Sequence, residues 1–199
     1  MKLSPKSLAT LGAFVFAFLM GLAWACPWDR MAETALAEAS KKAATMGARI
    51  EYGSTAILSH LPPAVEIRGF SATSLLGTFK APAVKLELKA MASLFTFSPT
   101  LEVQSPAATL DIPGTSPLRL SGITGKLSLG RSVARLDPIL VEGDLAVSGK
   151  LAWSSETRRL SAADLTLRVP EALAQSLNIL GLSAGLTPQG DGLWRLKRP

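Results

Sequence analysis

An alternation of apolar and polar residues with a period of two begins near Arg49, and it limits what this chain can fold into. Residues 65–68 read Val-Glu-Ile-Arg, and residues 84–89 read Val-Lys-Leu-Glu-Leu-Lys. Successive side chains of a β-strand point to opposite faces, so this period indicates strands with one apolar and one charged face. The sequence therefore predicts a mainly β fold with a few short helices.

Short strands with tight turns fill the region after Arg49. Proline and glycine punctuate it at residues 98–99, 105–106, 113–114 and 116–117, while Leu61-Pro62-Pro63 should break strand pairing and Asp137-Pro138 should form a turn. This spacing favours an antiparallel sheet, a sandwich or an open half-barrel. The predicted strands are residues 49–52, 54–58, 65–68, 84–89, 100–104, 108–112, 118–123, 125–129, 135–141, 144–153 and 160–169, with a closing hairpin of 182–186 and 193–196 around 188–192.

Two helices are predicted beside these strands. Residues 28–46 form an amphipathic pattern in which Asp29 can cap the N-terminus and Gly47 can adopt the left-handed conformation after the last turn. A second, shorter helix is predicted at residues 171–180. The first helix should cover one end of the sheet through a stripe of mostly small residues: Ala32, Ala35, Leu36, Ala39, Ala43 and Met46.

Residues 8–25 form an uncharged apolar stretch of eighteen residues. As a helix the stretch would be about 27 Å long, close to the hydrocarbon thickness of a bilayer. Lys2 and Lys6 precede it, so the positive-inside tendency places the N-terminus in the cytoplasm. The stretch predicts a transmembrane helix that contains Leu8, Phe14, Phe16, Phe18, Leu22 and Trp24.

Three fates remain open for this span. Ala23-Trp24-Ala25 has the small-x-small form of a signal-peptidase site, and Cys26 follows it in the position of a lipoprotein cysteine. An uncleaved anchor is the favoured alternative. The predicted organisation is a cytoplasmic stub and anchor at 1–27, a membrane-proximal helix at 28–47 and an exported β-rich domain at 48–199.

Charge and composition exclude some classes of function. The formal net charge of +6 depends on Lys2, Lys6 and the three cations among the last five residues. The remaining basic residues are scattered and few aromatic residues lie between them, so no nucleic-acid partner is predicted. A single cysteine cannot form an internal disulfide.

No catalytic, cofactor-binding or metal site is predicted, and the chain is not expected to be an enzyme. His60 is the only histidine and Cys26 the only thiol, while zinc sites usually need three or four nitrogen or sulfur ligands. His60 has no nucleophile-elbow motif nearby, so it is interpreted as a surface-loop residue. Gly190-Asp191-Gly192 is too short for a calcium loop. The glutamates on the strands alternate with leucines as solvated charges do: Glu66, Glu87, Glu102 and Glu142.

The apolar strand faces are the feature with functional potential. They must be buried against something, and one short helix cannot cover all of them. Either the sheet folds over on itself, which is favoured, or part of the face forms a groove for a lipid or another protein.

Two segments carry a resemblance to a known family. Residues 47–52 and 57–70 resemble a unit of AsmA-like envelope proteins, in which a span and helix lead into a strand, a proline-marked turn and a strand ending in glycine. With the leucine-rich hairpins and the ending at residues 186–196, the chain looks most similar to the N component of type II secretion systems.

That resemblance implies a single-pass inner-membrane protein with a periplasmic antiparallel β-sheet or half-barrel domain of AsmA-like type. It implies a non-catalytic structural or assembly component of the secretion system, in contact with inner-membrane lipid and with other envelope subunits. If the AsmA-like kinship is the closer one, the apolar sheet would instead shield lipid acyl chains during transport or outer-membrane biogenesis.

Overall fold

One open antiparallel sheet contains all twelve strands of the described chain. In the computed structural model, the described residues are 17, 21, 25–45, 47–75, 77–89, 93, 98–154, 156, 157, 159–171, 173, 174 and 185–198. The strands are β1 (Arg49–Glu51), β2 (Ser54–His60), β3 (Pro63–Ser74), β4 (Gly77–Leu88), β5 (Thr100–Ser105), β6 (Ala108–Asp111), β7 (Leu118–Leu129), β8 (Val133–Gly143), β9 (Ala146–Ser154), β10 (Arg159–Arg168), β11 (Leu186–Gly190) and β12 (Leu193–Arg198).

The order across the sheet follows the chain except at its end. It runs β1-β3-β4-β5-β7-β8-β9-β10-β12-β11, with β2 beside β3 and with β6 between β4 and β7. Two places in the sheet are therefore each filled by two consecutive short strands that follow one another along the same neighbour. β1 and β2 both pair with β3, and β5 and β6 both lie between β4 and β7. The Ser105 hydroxyl lies at the second junction, 2.9 Å from the carbonyl oxygens of Ala83 and Ala107. Its single hydrogen satisfies one backbone acceptor where the ladder is interrupted.

The helix α1 (Trp28–Thr45) confirms the prediction for residues 28–46, and Gly47 has a φ of 76°. The side of α1 that is turned inward differs from the predicted stripe, because Ala35 and Ala39 are exposed. The Ser40 hydroxyl donates to the carbonyl oxygen of Ile50 on the edge strand β1. The less exposed positions of α1 recur every three or four residues: Trp28, Ala32, Leu36, Ser40 and Ala43.

The other edge of the sheet is β11. Pro188 lies within β11 and pairs with Trp194 of β12. A proline has no backbone N–H to donate, which is why prolines within sheets occur mainly on edge strands. Each edge of the sheet therefore carries a feature that limits pairing with a further strand.

Several predicted boundaries are wrong. β7 runs unbroken through Gly125, and residues 61 and 62 form a tight turn after which Pro63 begins β3 opposite His60. The predicted turn at Asp137-Pro138 is a β-bulge inside β8, since the register shifts between Leu136 and Ile139. The last hairpin is also displaced, because β11 extends to Gly190 and only residues 191 and 192 turn.

Gly125 explains how the bulge fits. A Cβ on Gly125 would lie 3.3 Å from the Pro138 carbonyl oxygen and 3.1 Å from a methyl carbon of Leu136. The absent side chain leaves room for the extra residue of β8, whose insertion re-aims the strand. A glycine is therefore needed inside this strand because the bulge of the neighbouring strand leaves no room for a side chain.

Of the predicted transmembrane span at residues 8–25 the structure describes only residues 17, 21 and 25, so its named residues lie outside the described part: Leu8, Phe14, Phe16, Phe18, Leu22 and Trp24. In the part of the chain that is described, no helix is long and apolar enough to cross a membrane. The second predicted helix is described only at Glu171, Leu173 and Ala174, which are helical.

The favoured expectation that the sheet folds over on itself stays a prediction for the sheet as a whole. Most contacts between described strands join hydrogen-bonded neighbours. At one end, however, Leu118 of β7 and Trp194 of β12 belong to the same buried cluster although β8, β9 and β10 lie between their strands, so apolar side chains pack across the face there.

Candidate functional site

Rows of apolar side chains cross the sheet on one face. Residues directly opposite each other in paired strands share a face, and the register aligns leucines and valines across as many as nine positions. The middle row has two glycines in place of side chains, Gly125 and Gly149. It runs Val65, Leu86, Val103, Gly125, Ile139, Gly149, Leu165, Leu196 and Leu186. The sequence alternation thus produces one continuous apolar face.

One end of this face, the far end, is closed by packing. It is the end at which β8 turns into β9 and β11 turns into β12. Trp194 is 3% exposed there and packs with Leu118, Val169 and Leu173. The neighbouring cluster is Ala81, Ala108, Leu120 and Val141, with partly buried Phe70 and Phe79 meeting edge to face at 6.2 Å between ring centroids.

The opposite end, the open end, carries two hairpin tips: the β7–β8 tip (residues 126–135) and the β9–β10 tip (residues 153–159). The last apolar row here is Leu129, Ala134, Trp153 and Leu160. Leu129 is 41% exposed and Trp153 is 39% exposed, although both lie on the face that buries Trp194 at the far end. The apolar face therefore changes from buried to solvent-exposed along the strands.

Charged and polar residues cover the other face. One row runs Glu66, Lys85, Gln104, Thr124, Leu140, Ser148, Thr166, Arg195 and Thr187. Its exposed Leu140 is the one large apolar residue in the row. On the same face Arg195 donates to both carboxylate oxygens of Asp164, at 3.1 and 3.4 Å.

Lys89 joins two strands of the polar face. Its Nζ lies 2.7 Å from a carboxylate oxygen of Glu87 and 2.6 Å from one of Glu102, and Lys85 contacts Glu87 at 3.0 Å. Hydrogen bonds from Lys89 and then Lys85 hold the pKa of the Glu87 carboxyl below its ordinary value. Lys89 and then Gln104 lower the pKa of Glu102, and the two carboxylates raise the pKa of Lys89.

This network changes the interpretation of Glu87 and Glu102 as solvated charges. Glu87 and Glu102 are not simply solvated, because their side chains are 17% and 24% exposed and ion-paired. They stabilise the pairing of β4 with β5, where Glu87 lies directly opposite Glu102. Without Lys89 the two like charges would oppose each other.

The single histidine and the single cysteine are not part of the apolar and polar rows described above. His60 is the last residue of β2 and is half-buried, so its interpretation as a loop residue is wrong. The Cys26 Sγ lies 3.4 Å from the Met31 Sδ at the start of α1. Asp191 stands in the β11–β12 turn with a φ of 50°. Among the described residues no three histidine, cysteine or carboxylate side chains cluster as metal ligands would.

The sequence analysis did not predict which apolar residues of neighbouring strands lie in the same row. The alternation identified which residues share a face at 65–68 and 84–89, but only the register shows that Leu129 and Trp153 end one row. A local signal did exist, since the alternate apolar positions of β7 and β9 continue up to their turns.

Comparison with known proteins gives one match. The family model described as "Type II secretion system protein GspN-like, Synergistales" matches residues 5–198. No curated protein and no solved structure matches the chain significantly.

Proposed function

Because the chain belongs to the GspN-like type II secretion family, we propose that it is a non-catalytic structural subunit of that secretion system. Its work would be to hold or assemble other envelope subunits through the β domain. The family assignment gives the secretion context, and the structural role is the step that we add.

The two-faced sheet is the observation that carries the proposal. Its polar face presents a continuous row of side chains across nine strand positions, and its apolar face remains partly exposed at the open end. Extended surfaces of this kind bind protein partners through many distributed contacts. The sequence offers one histidine and one cysteine for nucleophilic or acid–base chemistry, which favours a scaffold over an enzyme.

We place the protein in the inner membrane as a single-pass protein, with a cytoplasmic N-terminus and a periplasmic β domain. The support is the uncharged stretch at residues 8–25, with Lys2 and Lys6 before it and Trp24 and Trp28 at its exit. The mass of the mature protein tests retention of this stretch. A mature protein that began at Cys26 would replace the anchored subunit by a free or lipid-linked one.

Co-purification tests the structural role. The full chain, crosslinked in cells and extracted in mild detergent, should recover other inner-membrane secretion subunits. A matched His60→Ala variant should support secretion as well as the wild type, because no chemistry depends on its imidazole. Recovery of no secretion subunit, under conditions that preserve known inner-membrane complexes, would contradict the scaffold proposal. Loss of secretion by a folded His60→Ala variant would point to an enzyme.

A second candidate is an AsmA-like protein that shields acyl chains. The partly exposed apolar face favours it, since natural monomers seldom leave large apolar surfaces uncovered. Native mass spectrometry of the full chain released from detergent should then show bound lipid. A protein that neither retains lipid nor acquires any on incubation with vesicles would rule this candidate out.

A further inference from the structure

Apolar and basic residues meet at the two hairpin tips of the open end. We propose that these tips dock onto the surface of an anionic lipid bilayer, as a second membrane contact of the β domain itself. This contact goes beyond the structural role proposed above and does not depend on which secretion subunit the protein binds.

The apolar part of the contact is the end of the apolar face. Leu129 and Trp153 stand next to the turns of adjacent hairpins, and each is about two-fifths exposed. Tryptophan is enriched at the boundary between lipid headgroups and acyl chains, because its ring is apolar and its N–H is polar. Leu129 and Trp153 could therefore insert at that depth while the strands stay in water.

Charge distinguishes this end from the other. The described residues of the two tips include four exposed cations, Lys126, Arg131, Arg135 and Arg159, against one carboxylate, Glu156. Within the described part of the chain, the three arginines form no ion pair with a carboxylate, unlike Arg68, Lys89 and Arg195 on the polar face. Basic residues close to an anionic membrane are attracted to its surface potential.

The turns of the far end are richer in carboxylates. Its β8–β9 and β11–β12 turns, residues 142–146 and 190–193, contain Glu142, Asp144 and Asp191 and no cation. Leu75 is exposed in the β3–β4 turn at the same end, so apolar exposure alone does not separate the two ends. The exposed cations nearest to the far-end turns are Lys80, Arg119 and Arg168, so charges of both signs occur there. At the tips four exposed cations stand against one carboxylate beside Leu129 and Trp153, and this excess of positive charge favours an anionic lipid surface there.

The N-terminus of α1 also points toward the open end. The Ser40 hydroxyl contacts Ile50 and the Thr55 hydroxyl contacts Glu33, so α1 runs antiparallel to β1 and β2. Its N-terminus therefore points toward the end at which β2 turns into β3. The register Ala64–Glu87–Glu102–Lys126 connects that turn to the base of the β7–β8 tip. In sequence, two residues separate the apolar stretch 8–25 from Trp28.

Site-specific fluorescence in vesicles tests the contact. The full chain with Cys26→Ser and Thr157→Cys carries an environment-sensitive dye at the β9–β10 tip, and Leu75→Cys carries it at the far end as the matched control. In vesicles of phosphatidylethanolamine and phosphatidylglycerol, spin-labelled lipid should quench the dye at position 157 severalfold more than at position 75. Equal quenching at both positions, or none at position 157, overturns the proposal.

Substitutions separate the two components of the contact. Leu129→Ser with Trp153→Ser, or Arg131→Gln with Arg135→Gln and Arg159→Gln, should each abolish most of the quenching, whereas Leu75→Ser should leave it unchanged. Each arginine should contribute roughly fivefold to the partitioning of the tips. Quenching that is as strong in pure phosphatidylcholine vesicles would overturn the electrostatic part.

Unlabelled protein gives a second measurement. Hydrogen exchange at residues 129–133 and 154–157 should slow when wild-type protein is moved from detergent into anionic vesicles, while exchange at residues 142–146 should not change. If a purified secretion subunit slows exchange at the tips and lipid alone does not, the partner is a protein and the proposal fails. Energy transfer between dyes on two copies without lipid quenching would make the partner a second copy, and the proposal would fail as well. Neither result would affect the co-purification test of the structural role.

Discussion

The two ends of the apolar face are built from the same residue types but differ in exposure and charge. At the far end Trp194 is 3% exposed within a cluster of four buried residues, and at the open end Trp153 is 39% exposed. Carboxylates and cations both lie near the first tryptophan, whereas the tips beside the second carry mostly cations. The comparison teaches that one alternating pattern can supply stability at one end and leave a surface for binding at the other.

The two tryptophans provide the largest expected difference. Trp194→Ala should lower the free energy of unfolding by about 3–5 kcal/mol, because it empties a packed site. Trp153→Ala should lower it by less, about 1–2 kcal/mol, since two-fifths of the residue is already exposed and no closed cavity is left. Denaturant unfolding of the full chain in detergent micelles, followed by circular dichroism, measures both. Equal losses would mean that the open end is as tightly packed as the far end.

A glycine in the middle row gives the next effect. Gly149 has a φ of 137°, and a Cβ there would collide with the Asp164 carbonyl oxygen on the neighbouring strand. Gly149→Ala should therefore destabilise the sheet by about 1–3 kcal/mol from backbone strain, with the collision added to it. Gly114→Ala is the matched control, since Gly114 has a φ of 84° with open space around it. If both variants lose the same stability, close strand packing at Gly149 is not the cause.

The Lys89 network should make a smaller, pH-dependent contribution near the open end. The lowered pKa values of Glu87 and Glu102 mean that their stabilisation is complete above the unfolded-state pKa of about 4.3 and is lost as the pH falls through the folded values. The raised pKa of Lys89 acts in reverse: its stabilisation is complete below about pH 10.4 and is lost at higher pH.

Lys89→Met tests this network. It should cost about 0.2–1 kcal/mol at pH 7, and it should flatten the loss of stability between pH 5 and pH 3. Lys80→Met is the control, because Lys80 is exposed and forms no ion pair within the described residues. Unfolding curves at several pH values provide the measurement. An unchanged acid limb in Lys89→Met would show that the ion pairs do not govern it.

The smallest effect is expected from Asp164→Asn. The Asp164 and Arg195 side chains are 40% and 45% exposed, so water screens their ion pair. The free energy of unfolding should change by about 0.5 kcal/mol or less in the same denaturant assay. A loss as large as that of Trp194→Ala would mean that the polar face stabilises the sheet as much as the far-end cluster does.

Much of the fold follows from the sequence, because strand periodicity and turn residues are local. The residues that share a face in parts of β3 and β4 were predicted from their alternation at 65–68 and 84–89, and α1 was predicted from its helical spacing and Gly47. The bulge at Asp137-Pro138 was not, since proline also marks turns and only Gly125 on the neighbouring strand makes room for it. The exposed row ending in Trp153 was missed for a similar reason: it depends on pairing with residues far away in the sequence.

The features at the two edges of the sheet also affect how copies of this protein can associate. Pro188 interrupts the donors of the last strand, and α1 lies along the first, where its Ser40 occupies a backbone acceptor. Neither edge strand is therefore well suited to pair with an edge strand of another molecule. Molecules at high local concentration would remain separate units, and a larger assembly would have to be joined through the faces and ends of the sheet.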